Sequence, residues 1–310
     1  MTRNSFPFLK YRPITMIISA VIILSGLISL FISGLNLGVD FTGGTILHLK
    51  LEDNFLMEDV RAVLAPYGLD EAALQRAGGA AGHAGGDEVI IKTRYLDEAI
   101  RKDVINSFME RWPDMTTENV LRVENVGAVV GGELTREAFL ALIIAAICIV
   151  IYITLRFEFR FSIAAVAALL HDALFIVAIF SIFKIEVNSP FIAAILTIIG
   201  YSINNTIVIF DRIRENLKFR RQRSIEELVN DSINETLTRT INTSVTTLIV
   251  LLSLFFAFNY FVGGIDLKAF ALALLIGVIV GTYSSIFIAG ALWVAWRKKG
   301  AHEEKRPASA

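Results

Sequence analysis

The chain has 310 residues, 55% of them hydrophobic and 19% charged, and its 29 basic and 30 acidic side chains leave a formal net charge of −1. A mean hydropathy of +0.61, with the charges gathered into a few blocks, excludes a soluble globular domain. The single cysteine, Cys148, falls inside an apolar run, which excludes internal disulfides and a structural zinc site.

Arg3, Lys10 and Arg12 precede an uncharged run that continues to Val39, and segment 14–35 within it predicts a first membrane span. A charged head before an apolar stretch has the outline of a signal peptide, but no clear small-residue cleavage site follows and five further spans do. Block 36–136 predicts a small α+β domain. Thr45 to Leu51 alternates like a half-buried strand, 55–64 has helical spacing, 88–92 reads as a strand, 96–112 as a helix closed by Pro113, and 119–130 as a third strand. Helices alternating with strands imply two packed layers. The stretch 77–86 is mostly Gly and Ala and predicts a mobile tip, with His83 a solvated loop residue because no second His or Cys lies near it.

Crossing the hydrocarbon core takes roughly 17 to 25 helical residues, and the runs 138–155, 161–183, 189–210, 241–261 and 269–296 all suffice. The chain therefore divides into a terminus with the first span (1–35), the α+β domain (36–136), a bundle (137–296) with a basic loop at 211–238, and a tail (297–310). Lys and Arg in short loops mark the cytoplasmic side. They crowd the N-terminal arm, the turn with Arg156 and Arg160, the connection from Asp211 to Arg223 and the tail, whereas the alternate connections hold one lysine each, Lys184 and Lys268. Both termini are expected in the cytoplasm and the α+β domain on the outer face. The basic connection serves topology and lipid-headgroup contact, or a specific partner site.

Of these spans only the third contains a charge, Asp172. A carboxylate at the bilayer centre costs roughly 2.5–3.5 kcal/mol on insertion scales, so it predicts a function. On the fourth span Gly200, Asn204, Ile207 and Asp211 share one helical face, with Asn205 and Arg212 on an adjoining one; in the fifth, Arg239, Asn242, Thr243 and Thr246 form a polar stripe. These stripes are expected to meet Asp172. The plainer reading is glue between helices, worth roughly 0.6–2 kcal/mol per hydrogen bond. Gly277 and Gly281 predict a close helix contact, and Asp211, beside Arg212 and Arg214, an interfacial ion pair. Asp40, Phe41, Gly43 and Gly44 predict either the turn by which the first span enters the domain or a hinge or subunit contact. No nucleophilic triad, Walker loop, HExxH or paired-cysteine motif is present, so no enzymatic activity, metal, cofactor or nucleic-acid ligand is expected.

Gly38-Val39-Asp40-Phe41-Thr42-Gly43-Gly44-Thr45 resembles the signature of the SecD/SecF translocase family. So, in the same order, do Arg156-Phe157-Glu158, His171-Asp172, Gly200 to Thr206, Phe210 to Asn216 and Thr238 to Ser244. The likeness covers about 8–297, and the length and single small outer domain are similar to the SecF branch. It implies an α-helical polytopic protein of six transmembrane helices, half of an RND-type bundle, with a ferredoxin-like outer domain between the first two. It further implies a bacterial inner-membrane location, pairing with a SecD-like subunit, work beside the SecYEG channel with YajC, contact with the preprotein and with membrane lipids, and use of the proton-motive force. Family members commonly carry an aspartate where this chain has Asn205, and an amide cannot exchange a proton at physiological pH. The proton carrier is then an acid of the paired subunit, or Asp172 or Asp211 here, with Asn205 and Arg239 shaping the water path. Other openings are a different cation or an engineered Asn205. Beside the export motor stand two alternatives: a proton-silent scaffold for SecD and the channel, and an RND-type exporter of lipids or small molecules.

Overall fold

The computed structural model describes residues 6–52, 55–77, 87–156, 158–219, 224–260 and 265–303. His83 and nearly all of the predicted tip lie outside these residues, as do Arg3, Phe157, Arg220 to Arg223, Lys305 and Arg306. Helix α1 (Arg12–Ser33) begins with Pro13 in its first turn, where a missing N–H costs nothing, and stops at Gly34, whose φ of 63° leaves the helical region. Strand β1 (Asn36–Leu37), the short helix α2 (Val39–Thr42) and β2 (Gly44–Lys50) carry the chain into the α+β domain. There follow α3 (Met57–Leu64), β3 (Ala73–Ala77), β4 (Glu88–Thr93), α4 (Glu98–Arg111) and β5 (Val120–Val126).

The four strands form one antiparallel sheet in the order β3-β4-β2-β5, joined by two helices in the order β-α-β-β-α-β, which is the ferredoxin-like arrangement. Its core lies between the sheet and α3/α4, where Leu47, Leu49, Val60, Leu64, Val89, Ile91, Val104 and Phe108 are fully buried. On the other face Ile46 and Ile90 pack against Val39 of α2. Two strand expectations change. β3, with no β-branched residue, lacks the usual strand signal and lies at the sheet edge. The predicted third strand ends at Val126, because the helix of the second span, α5 (Ala128–Arg156), starts directly after Gly127.

The bundle continues with α6 (Phe159–Ile182), β6 (Glu186–Val187), α7 (Ser189–Lys218), α8 (Ile225–Tyr260), α9 (Ile265–Ser284), a π-helical turn Ser285–Ala289 and α10 (Gly290–Glu303). Among the described residues, six helical segments are long and apolar enough to cross a membrane, the last being Leu267–Arg297. The basic connection is not the long loop expected at 211–238. α7 runs on to Lys218 and α8 begins at Ile225, since Arg, Glu, Lys and Leu all favour helix and hydropathy marks only the part that lies in hydrocarbon. Helix contacts follow small residues: a Cβ on Gly26 of α1 would stand 2.1 Å from that of Ala178 on α6, and one on Gly277 of α9 would stand 2.3 Å from Ile198 of α7. Deep in the bundle Phe161 stacks on Trp293 and tilts against Phe210. α5 is the outlier. Only Gly131 and Ile153, near its two ends, are buried.

Candidate functional site

Asp172 sits on α6 with 1% of its surface exposed. Ser202 of α7 donates its hydroxyl to Oδ2 at 2.5 Å and Ser284 of α9 donates to the same oxygen at 2.8 Å. His171 Nδ1 lies 2.9 Å from Oδ1, so the carboxyl joins three helices through one side chain. The approach depends on Gly281, where a Cβ would stand 3.0 Å from that of Ser202; a larger residue would hold α9 away from α7. The π-helical turn begins at the residue after Ser284, a local change of helix type beside a polar centre. Buried His171 Nε2 has no partner, and neither have Asn205 Nδ2 and Thr206 Oγ1 further along α7. A buried polar atom left unpaired costs about 1–3 kcal/mol, so each of these atoms is a place where a water would be favoured.

Other polar links run across the bundle at the same depth. Tyr201 of α7 donates to Ser244 of α8 at 3.1 Å, and Ser244 meets Thr282 of α9 at 2.7 Å. Tyr283 donates to the Thr15 carbonyl at 2.7 Å and contacts Ser19 at 3.1 Å, tying α9 to α1. The stripes expected to face Asp172 do not. Gly200 and Asn204 on α7, and Arg239, Asn242, Thr243 and Thr246 on α8, are exposed on the outside of the chain. The inward face of α7 is the one that carries Ile198, Ser202, Asn205 and Ile209, and periodicity groups residues into faces without saying which face turns inward. Asn205 itself is buried at 3% exposure, three residues beyond Ser202. Asp211 is half-buried at the far end of α7 and pairs with Arg156 at 3.2 Å and Arg214 at 3.1 Å, while Arg212 turns to Glu215 and Glu235.

At the end of the bundle nearest the α+β domain, Asp40 Oδ2 accepts from the Ser189 backbone N–H at 2.8 Å. It caps α7 together with Asn188, which accepts from Phe191 N–H at 3.1 Å. Gly43 (φ 73°) and Gly44 (φ 151°) make the entry into β2, and a Cβ on Gly44 would lie 2.5 Å from the Thr93 carbonyl. Phe41 packs in the cluster around Phe191. β1 pairs in parallel with β6, and Lys92 of the domain forms an ion pair with Glu186 of β6. The motif is thus more than a turn, since it joins the domain to the first turn of α7. Among the described residues, no group of three or more His, Cys, Asp and Glu is placed to hold a metal. Ser284 was open to notice as a polar residue in an apolar span; the bond from Asp40 to a residue 149 positions away has no local signal.

The family model for the protein export membrane protein SecD/SecF, C-terminal, matches residues 104–299, and the SecD/SecF GG motif matches 28–54. The chain is 42% identical over 301 residues to the protein translocase subunit SecF of Desulfurispirillum indicum, covering 94% of this chain and 92% of that one. It is 39% identical over 287 residues to SecF of Vibrio alginolyticus, covering 92% and 88%. The crystal structure of SecDF, a translocon-associated membrane protein from Thermus thermophilus, superposes with a TM-score of 0.83 at 37% identity, over 95% of this chain and 39% of that longer one. SecDF in its super-membrane-facing form gives a TM-score of 0.66 at 36% identity, over 98% and 40%.

Proposed function

The chain belongs to the SecD/SecF family of protein-export membrane proteins, and on that premise we propose that it is a SecF-type accessory subunit that couples the proton-motive force to preprotein movement. It is a multi-pass bacterial membrane protein of the Sec export machinery. It pairs with a SecD-like subunit through the exposed polar faces of α7 and α8, where the side chains of Asn204, Arg239 and Asn242, which have no partner among the described residues, find polar partners in that subunit. The pair works beside SecYEG and YajC with both termini in the cytoplasm and the α+β domain outside, in reach of the emerging preprotein.

The observation that carries this reading is the carboxyl of Asp172 held at once by α7 and α9. A carboxylate accepts both serine hydroxyls at Oδ2 as charge-assisted bonds, whereas a proton arriving at Oδ1 removes the charge and weakens both. His171, whose Nε2 has no partner, is placed to pass the proton through its ring to Oδ1. Each charge crossing the potential supplies about 2.3 kcal/mol per 100 mV. That energy does work only if the two protonation states favour different packings of α7, and the Asp40 cap carries such a change to the foot of the outer domain. The buried amide of Asn205 leaves Asp172 and the partner's acids as the carriers.

The test is proton flux and preprotein translocation in vesicles holding the purified chain, its SecD-like partner and the channel. Asp172→Asn is expected to abolish the contribution of the proton-motive force to export, and Asn205→Asp to raise flux. Full export and full flux in Asp172→Asn would instead favour the proton-silent scaffold, to which Asn205 lends support.

A further inference from the structure

We propose that the cleft between α5, α6 and α7 is a binding site for the acyl chain of a membrane phospholipid, with Arg136 at its headgroup. α5 is held at its two ends: Gly131 comes so close to Phe41 and Gly43 that a Cβ would stand 3.0 Å from their backbone, and Ile153 is buried near the other end. Between those points the helix stands off and leaves a cleft of about 710 Å³, lined by Phe139, Leu142, Ala146, Leu170, Ala173 and Ile192 among others. Thr135 is the one lining residue with a polar side chain.

Three fillings compete, and physical chemistry separates them. Water needs two to four polar partners, which this lining does not supply. Emptiness forfeits the dispersion contacts of every lining atom, and interiors of native density do not keep voids of this size. Hydrocarbon remains. An apolar cavity of about 150 Å³ is enough to take up benzene, and this cleft is more than four times that volume. Its lining on α5 runs from Thr135 to Val150, about 22 Å along the helix axis at 1.5 Å per residue, the shape of a chain and not of a compact ligand. Most of the lining lies in segments long and apolar enough to cross a membrane, with Leu35, Leu37, Phe41 and Val187 at the end nearest the α+β domain, so the species always at hand to fill the cleft is a lipid.

Charge supplies the other end of the ligand. Arg136 follows Thr135 and therefore flanks the lining stripe of α5, whereas Glu133 and Glu137 fall on the opposite side of the helix. Arg136 is exposed and forms no ion pair among the described residues, and a guanidinium is suited to a phosphate diester. The cleft face of α6 carries Val166, Leu169, Leu170, Ala173 and Val177, on the back of the helix relative to Asp172. A bound chain would thus support the helix that presents the carboxyl.

The experiment uses the full chain in vesicles of phosphatidylethanolamine and phosphatidylglycerol, each in turn carrying a diazirine in its acyl chain. Photolysis is expected to label the cleft residues of α5, α6 and α7 well above Ile144 and Ile151, which face out from the opposite side of α5. Ala146→Phe should remove most of that labelling by filling the cleft, and the milder Ala173→Val should reduce it, so the proposal stays testable if the larger change does not fold. Arg136→Gln should keep the acyl label but lose preference for phosphatidylglycerol. Equal labelling at Ile144 and in the cleft, labelling unchanged by both alanine variants, a headgroup preference that survives Arg136→Gln, or cross-links from cleft residues to a protein segment would each overturn the proposal.

Discussion

Ser284→Ala removes one of the two hydroxyls on Asp172 Oδ2 while leaving Ser202 in place. Hydrogen bonds between membrane helices average about 0.6 kcal/mol and reach about 1.7. This one belongs at the upper end, because its acceptor is a carboxyl with 1% exposure. The expected loss is therefore about 1–2 kcal/mol, the upper part of that range. In an Asp172→Ala background the same change removes only the long 3.3 Å bond to the Gly281 carbonyl and should cost about 0.5 kcal/mol or less, the range in which independent substitutions add. Equilibrium unfolding of the four proteins in mixed micelles gives the coupling energy directly. Additive losses, with no coupling above that range, would refute the view that α9 is held to α6 through this carboxyl.

Asp40→Ala should cost about 1 kcal/mol by uncapping α7 and speed amide exchange at Ser189 without loosening the far end of the helix. Gly281→Ala should destabilise the bundle by about 1–3 kcal/mol through overpacking against Ser202, seen as a lower melting midpoint, and should weaken the Ser202 bond to Asp172. Gly43→Ala combines a φ of 73° with a Cβ 3.0 Å from the Ala128 backbone, and should cost about 1–3 kcal/mol in thermal unfolding. Lys92→Glu should expose the β1/β6 joint to proteolysis, and adding Glu186→Lys should restore protection.

Composition and hydropathy were enough to find the six spans, because a run of apolar residues long enough to cross a bilayer has few other uses. Alternation and helical spacing likewise located β2, β4, α3 and α4. β3 escaped since Ala73-Leu74-Gln75-Arg76-Ala77 has neither branched residues nor clean alternation. The site was legible only at its centre. Asp172 announces itself by the cost of its charge, but Ser202 and Ser284 are ordinary hydroxyls until folding brings three helices together. The polar stripe of α8 misled because an inward and an outward polar face have the same period. Asp40 looked like a turn residue, and only tertiary structure reveals that its carboxylate belongs to α7.

Gly44 and Val126 are register partners at the ends of β2 and β5, so the chain enters and leaves the α+β domain about 5 Å apart. Load carried along the covalent chain therefore reaches the membrane through two adjacent strands side by side, next to the Asp40–Ser189 and Lys92–Glu186 links to α7 and β6. Such a module is a cassette: another domain whose first and last strands are neighbours would fit the same socket without changing the spacing of α1 and α5.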